Sequence, residues 1–222
     1  MIKINSLTKL YSQNSNENFY VLKNINLKLK EGSLSVIYGE SGSGKSTLLS
    51  IIAAITKPTS GELQVEGECI TSYSDYFASS YREQKIGFIT QEFHLFDAFT
   101  LEQNISVALA LSSLNIEEIE TKVLKITKQL HIEHKLKSKV SNLSGGEKQR
   151  CIIARALINN PKIILCDEPT ANLDTKNAQR FLTILSDLKK MNKTIIIVTH
   201  DSIFDKLDMI DNKYIMKDGE IE

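Results

Sequence analysis

Apolar and polar residues alternate with a period of two along several short segments, and this pattern predicts β-strands. The apolar runs near residues 165 and 196 are longer and typical of strands buried in a sheet. Together these patterns predict strands at residues 2–4, 21–29, 33–38, 62–65, 86–90, 163–168 and 194–199, and a closing hairpin at residues 212–222. The first two strands are predicted to be antiparallel, because only the polar stretch at residues 12–18 joins them.

Other segments place apolar residues at three- and four-residue intervals, which predicts helices. One follows residue 47, with Leu48, Leu49, Ile52 and Ile55 at helical spacing. Further helices are predicted at residues 116–130, 144–157 and 174–188, and residues 71–84 are polar and compatible with a helix. Thr100 with Gln103, and Ser144 with Glu147, have the spacing of capping boxes.

The order of these elements predicts a single α/β domain over residues 1–222. Its core is a mainly parallel sheet with flanking helices, formed by residues 1–96 and 159–222 together with an N-terminal antiparallel β part. Residues from about 97 to 158 are predicted to form an α-helical subdomain inserted into that core.

Composition narrows the choice of partner and compartment. Lys and Arg together number 27, as do Asp and Glu, and this balance argues against a nucleic-acid partner and against broad binding to anionic membrane. The three cysteines are widely spaced, which favours reduced thiols in a cytosolic protein. The N-terminus lacks the apolar core of a signal peptide, and the longest uncharged stretch, at residues 103–116, is too short and polar to span a bilayer.

Residues 39–47 match the phosphate-loop pattern G-x-x-x-x-G-K-[ST] at every fixed position, between a predicted strand and a predicted helix. Glycines let successive backbone N–H groups converge on one anion, and the helix N-terminus adds partial positive charge. Lys45 can reach the β- and γ-phosphates, and the Ser46 hydroxyl can bind Mg²⁺. The alternative is a Gly/Ser-rich turn with a solvated lysine. The candidate phosphate-binding residues are Gly39, Ser41, Gly42, Ser43, Gly44, Lys45, Ser46 and Thr47.

The strand at residues 163–168 ends in two adjacent carboxylates. Strand alternation would point Asp167 and Glu168 to opposite sides, so we expect them to have different roles. Asp167 suits coordination of Mg²⁺ beside a phosphate loop, and Glu168 suits orienting or deprotonating an attacking water. His200 follows another central strand, at the same edge of the sheet.

A second anion site is one of two interpretations of the segment that begins at Ser144. In the simpler interpretation Ser144 caps its own helix and has no other role. In the other, Gly145 and Gly146 expose backbone N–H groups at the helix N-terminus. An aromatic ring could also stack on a purine, and the residues alone do not decide between Tyr11 and Tyr20.

Taken together, these motifs resemble the ATP-binding cassette of ABC transporters over nearly the whole chain. Residues 143–150, with the sequence LSGGEKQR, look like the ABC signature, and residues 39–47 and 163–168 look like Walker A and Walker B. Gln91 lies where the family has its Q-loop glutamine, His200 at the switch histidine, and residues 171–174, ending in Asp174, at the D-loop. Tyr11 matches the A-loop aromatic that stacks on adenine, which favours it over Tyr20.

The resemblance implies a head-to-tail homodimer that holds ATP and Mg²⁺ between the Walker A motif of one copy and Ser144, Gly145 and Gly146 of the other. It also implies that Glu168 is the catalytic glutamate, that His200 holds the γ-phosphate and Glu168 in register, and that Gln91 contacts Mg²⁺. A separate permease would hold the cassette at the inner face of the cell membrane, peripheral and cytoplasmic.

Residues 86–88 and the D-loop are similar to those of exporters of the macrolide-efflux and lipoprotein-release type, which implies a peptide, lipoprotein or drug-like substrate. Glu92, Phe96, Asp97 and residues 137–140 depart from the usual pattern, so the substrate stays open. Two other classes of cassette are alternatives: a soluble ATPase of a cytosolic assembly such as an iron–sulfur scaffold, and a nucleic-acid- or ribosome-linked protein. The balanced charge and the single copy of each motif argue against the last.

Overall fold

The computed structural model describes residues 1–13, 17–171 and 173–222. The strands in this part are β1 (Ile2–Gln13), β2 (Glu17–Leu29), β3 (Leu34–Tyr38), β4 (Ser60–Val65), β5 (Glu68–Cys69), β6 (Ile86–Ile89), β7 (Ile163–Asp167), β8 (Thr194–Thr199), β9 (Asn212–Lys217) and β10 (Glu220–Ile221). The α-helices are α1 (Lys45–Ile52), α2 (Asp75–Lys85), α3 (Leu101–Ser106), α4 (Ile116–Gln129), α5 (Gly145–Leu157) and α6 (Thr175–Lys190).

The strands form two sheets. The larger has the order β10-β9-β3-β8-β7-β6, and its strands are parallel except for β10, which pairs antiparallel with β9. The smaller sheet is antiparallel, in the order β2-β1-β4-β5. The predicted α/β fold with an N-terminal antiparallel part is therefore confirmed.

Two apolar cores lie on the two faces of the parallel sheet, because successive side chains of a strand point to opposite faces. In β8, Ile195 and Ile197 pack with the helical elements that include α3, α4, α5 and α6. Ile196 and Val198 of the same strand pack toward α1 and the antiparallel sheet. The parallel strands are thus covered on both faces, which is why their sequence is a nearly continuous apolar run.

Side-chain caps set the starts of four of the α-helices in the described residues. Thr100, Asn115 and Ser144 each form a capping box with the residue three positions on, and the Asp174 carboxylate accepts from the amide of Asn177 at the start of α6. One detail of the helix pattern was wrong: α1 ends at Ile52, and Ile55 is 57% exposed beyond it. No helix in the described ranges is long and apolar enough to cross a membrane.

Candidate active site

The phosphate loop connects β3 to α1, and its shape depends on glycine. Gly44, the residue before α1, has a φ of 105°, and a Cβ there would lie 2.6 Å from the Val21 carbonyl oxygen of β2. No side chain caps α1. The first-turn N–H groups of a helix have no intrahelical acceptor, so this uncapped end is suited to an anion.

Lys45 brings a nearly buried positive charge to the loop. Its side chain is 6% exposed, and Nζ donates to the carbonyl oxygens of Gly39 at 2.7 Å and Glu40 at 2.8 Å. The nearest carboxylate oxygen in an ion pair is Oε1 of Glu168, at 3.9 Å. Burial lowers the pKa of Lys45, and the charges of Glu168 and Asp167 offset this only in part. A bound anion would stabilise the charged lysine further.

Ser46 and Asp167 present two oxygen ligands side by side. The Ser46 hydroxyl donates to Oδ1 of Asp167 at 3.0 Å. Burial raises the pKa of Asp167, and the nearby Glu168 charge raises it too, so a cation here would favour the ionised carboxylate. Among the described residues no group of three or more His, Cys, Asp and Glu side chains could hold a metal. A hydroxyl and a carboxylate do fit Mg²⁺, which takes its remaining ligands from water and phosphate.

Glu168 lies immediately after β7 in the left-handed backbone region, with a φ of 45°. This position corrects the expectation from strand alternation, because the strand ends at Asp167 and the next residue turns the chain. The carboxylate is almost buried and well supplied with donors. Oε2 accepts from the Thr199 hydroxyl at 2.9 Å and from the His200 amide at 3.3 Å, while Oε1 lies 2.9 Å from His200 Nδ1.

Strand order explains why these groups meet. β3, β8 and β7 are parallel neighbours, so the phosphate loop, His200 and the two acids all follow the carboxyl ends of adjacent strands. The structure therefore brings together five of the predicted site residues through direct contacts: Lys45, Ser46, Asp167, Glu168 and His200.

The segment around Ser144 lies apart from this cluster. Ser144 Oγ accepts from the Glu147 amide at 3.4 Å, and Glu147 Oε2 accepts from the Ser144 amide at 2.8 Å, so the cap is real. Ser144 and Gly145 are exposed, whereas Gly146 is buried against α6: a Cβ there would lie 2.5 Å from Oδ1 of Asn177. Within the described ranges, no hydrogen bond or ion pair joins this segment to the phosphate loop of the same chain.

The remaining candidates lie around the cluster. Tyr11 is 39% exposed near the end of β1, and its ring centroid lies 6.2 Å from that of Phe19 on β2. Two residues after Phe19, the carbonyl of Val21 lies against Gly44 of the phosphate loop. Gln91 is exposed, two residues after β6. Asp174 caps α6, and of the predicted D-loop Asn172 lies outside the described residues.

Comparison with known proteins identifies the family. The sequence model described as "ABC transporter" matches residues 22–171, which is more than half of the chain. The chain belongs to the ABC transporter family. It is the family's ATP-binding subunit, an ATPase cassette.

Relatives of this ABC cassette match it over all or most of its length. An uncharacterised ABC transporter ATP-binding protein of Methanocaldococcus jannaschii, MJ0796, is 39% identical over 100% of the chain and 95% of the relative. The ATP-binding protein LolD of the lipoprotein-releasing system of Cytophaga hutchinsonii is 39% identical over 90% of the chain and 91% of the relative.

Solved structures of MJ0796 have the same fold as the cassette. A dimeric structure and a dimeric post-hydrolysis state bound to ADP and Pi each superpose with a TM-score of 0.91 at 38% identity, covering 100% of this chain and 97% of theirs. These relatives are named as transporter components, which disfavours the iron–sulfur alternative.

Sequence reasoning missed several groups that hold the site of the cassette. Gln149, inside the signature, donates from a buried amide to the Pro169 carbonyl oxygen at 2.9 Å, and so ties α5 to the segment after Glu168. Thr199 and Asn177, which contact Glu168 and Gly146, were also missed. The one available signal was the position of Thr199 at a strand end, directly before His200.

Proposed function

We propose that this cassette binds MgATP at the carboxyl edge of β3, β8 and β7, and that the residues gathered there have the roles expected from their chemistry. Lys45 and the loop amides bind the phosphates, and Tyr11 stacks on the adenine. Ser46, Asp167 and Gln91 hold Mg²⁺. The observation that carries the proposal is that three features meet at one sheet edge. The buried Lys45 pairs with Glu168, Ser46 donates to Asp167, and the Glu168 carboxylate accepts a hydrogen bond from a buried hydroxyl.

Within this arrangement Glu168 orients or deprotonates the attacking water, and His200 steadies the γ-phosphate and Glu168. The proposal draws support from the Glu168 carboxylate, both oxygens of which are held by partners at the end of β8. Mg²⁺, when bound, neutralises phosphate charge. The protein groups contribute positioning and charge stabilisation, which dominate phosphoryl transfer.

We propose further that two copies associate head to tail, each completing the nucleotide site of the other with Ser144, Gly145 and Gly146. The dimeric structures of MJ0796, 38% identical to this chain, support this arrangement. The start of α5 supports it too, because Ser144 and Gly145 are exposed and, among the described residues, no hydrogen bond or ion pair joins them to the phosphate loop of the same chain. Asp174, which accepts hydrogen bonds from Asn177 beside Gly146, would lie at the same interface.

The partner that the cassette powers is proposed to be a separate membrane permease, which keeps the cassette at the cytoplasmic face of the cell membrane. An aromatic patch near Gln91 suits this contact. Phe96 and Phe99 are 50% and 42% exposed, with ring centroids 5.2 Å apart. The Phe96 amide donates to the buried Asn104 side chain of α3 at 2.8 Å, which ties the backbone of Phe96 to this helix. The helices between about 97 and 158 are proposed to form a subdomain that carries Phe99 and holds Phe96 through Asn104.

For the substrate, we propose export of a peptide, lipoprotein or drug-like molecule. The support is the LolD relative, which its name places in a lipoprotein-releasing system.

Capture of the partner tests the transporter proposal. Tagged Glu168→Gln protein would be recovered from gently solubilised native cells with MgATP present, and the stoichiometric partner identified. We expect a polytopic membrane protein whose recovery falls at least ~10-fold with the double substitution Phe96→Ser and Phe99→Ser. The matched control is Met191→Ser, a 61% exposed apolar residue just after α6, near the amino end of β8. Recovery of a soluble partner alone, or recovery of the membrane protein that is unchanged by the double substitution, would contradict the proposal.

A further inference from the structure

Thr199 is the last residue of β8 and is fully buried, yet its side chain is polar. The hydroxyl has two partners. It donates to Oε2 of Glu168 at 2.9 Å and accepts from the amide N–H of Asp201 at 3.0 Å. Because the amide N–H can only donate, the single hydroxyl proton is left for the carboxylate. The direction of the bond to Glu168 is therefore fixed.

The Asp201 amide is itself held in place. One carboxylate oxygen of Asp201 accepts from the buried Thr170 hydroxyl at 2.7 Å, and the other accepts from the Ile203 amide at 2.9 Å. Thr170 lies two residues after Glu168. Hydrogen bonds therefore connect Thr170 after β7 to Asp201 after β8, Asp201 to Thr199, and Thr199 back to Glu168. Such a closed network restrains each of its members.

Glu168 needs such restraint. Its backbone lies at a φ of 45°, a region that non-glycine residues adopt only when their surroundings hold them there. Its two carboxylate oxygens have different surroundings. Oε2 is held by Thr199 and the His200 amide, whereas Oε1 lies 2.9 Å from His200 Nδ1 and 3.9 Å from Lys45 Nζ. Oε1 is thus the oxygen on the side of the phosphate loop.

The bonds that Glu168 makes with the side chains of Thr199 and His200 differ in how readily they can be exchanged. The His200 side chain is 65% exposed, so its bond to Oε1 can be exchanged for one to water or to a ligand. Thr199 has no exposed surface and cannot make such an exchange. We infer that Thr199 is a positioning residue for ATP hydrolysis: its hydroxyl anchors Oε2 so that Oε1 stays directed at the reacting centre. This inference rests on the proposed role of Glu168.

The test replaces the hydroxyl without changing the shape of the side chain. Thr199→Val should lower kcat for ATP about 10- to 100-fold, since small misplacements of a reacting group have effects of this size, with KM for ATP changed less than about 2-fold. Thr199→Ser keeps the hydroxyl and should recover kcat to within about 3-fold of wild type. The matched control is Thr194→Val, at the opposite end of the same strand, where the buried hydroxyl accepts from the Gly32 amide at 3.0 Å.

Two measurements separate positioning from folding. The thermal midpoint of Thr199→Val should fall no further than that of Thr194→Val, and affinity for a fluorescent ATP analogue should match wild type. A kcat of Thr199→Ser as low as that of Thr199→Val, or a kcat of Thr199→Val equal to that of Thr194→Val, would overturn the inference.

Measuring Glu168→Gln in the same assay separates a failure of the role inferred for Thr199 from a failure of the role proposed for Glu168. If this variant is slow while Thr199→Val is not, only the role of Thr199 fails. If Glu168→Gln hydrolyses ATP at nearly the wild-type rate, the role proposed for Glu168 fails. When both hold, the double substitution should be no slower than Glu168→Gln alone, because residues that act as a unit are not additive.

Discussion

At the scale of single residues, the site contains two ionisable groups, Lys45 and Asp167, that the protein itself buries. Burial lowers the pKa of Lys45 and raises that of Asp167, so each shift disfavours the charged form. Phosphate beside Lys45 and Mg²⁺ beside Asp167 would stabilise those charged forms. Titratable groups perturbed in opposite directions at one sheet edge are typical of a functional site.

Glu168→Gln should separate binding from turnover. The amide keeps the size of the side chain and can still accept from Thr199, but it cannot act as a base. We therefore expect ATP affinity near wild type and turnover at least ~100-fold slower, since a positioned base contributes about 10²–10⁴. Steady-state phosphate release measures this. Glu62→Gln, an exposed neutralisation on β4, serves as the control. Turnover within a few-fold of that control would remove Glu168 from the role.

The sequence predicted the charged residues that the structure brings together at this sheet edge, because each lies in a motif with its own chemistry. It did not identify Thr199 and Gln149, whose partners are 31 and 20 residues away along the chain. A hydroxyl or amide that supports another side chain carries no spacing signal. The separate roles of Asp167 and Glu168 stay a prediction, and the strand alternation behind it does not hold, since β7 ends at Asp167 and Glu168 has a φ of 45°.

At the scale of elements, Glu66 links three parts of the fold. It lies in the turn between β4 and β5, and its carboxylate accepts from Lys85 at the end of α2 at 2.6 Å and from Lys162, just before β7, at 2.7 Å. These two hydrogen bonds lower the pKa of Glu66 to about 2. The antiparallel sheet is thereby joined to the amino end of the parallel sheet.

Because the pKa of Glu66 is lowered on folding, its contribution to stability is present above its ordinary pKa and is lost as pH falls toward about 2. Glu66→Gln should lower the free energy of unfolding by about 1 kcal/mol near neutral pH, the upper range for partly exposed ion pairs. The difference from wild type should shrink as pH falls below the ordinary range of a carboxyl group. Urea unfolding over that range measures it, with Glu62→Gln as control. A difference that is independent of pH would contradict the role of the ion pairs.

Element type was more predictable than element order. Capping boxes and apolar periods are local, so the starts of α3, α5 and α6 could be derived from a few residues. The final hairpin was also predicted, but not that β9 pairs in parallel with β3. That pairing depends on packing between distant segments, and nothing in residues 212–217 alone indicates the neighbour.

At the scale of the whole molecule, the proposed ATP contacts come from two helix starts that have different surroundings. The start of α1 lies among Lys45, Ser46 and the acids, whereas the start of α5 is exposed at Ser144 and Gly145. A head-to-tail pair would bring the second against the first of the other copy. The central claim is therefore that the catalytic site is completed by a second chain.

Light scattering on Glu168→Gln with and without MgATP tests that claim most directly. We expect a monomer without nucleotide and twice that mass with it, because ATP is bound and not hydrolysed. Adding Ser144→Arg should abolish the increase while ATP affinity of the monomer is kept. Asn115→Arg, which removes another exposed capping box, should leave the increase intact. A Glu168→Gln protein that stays monomeric with MgATP, or a dimer that persists with Ser144→Arg, would contradict the account.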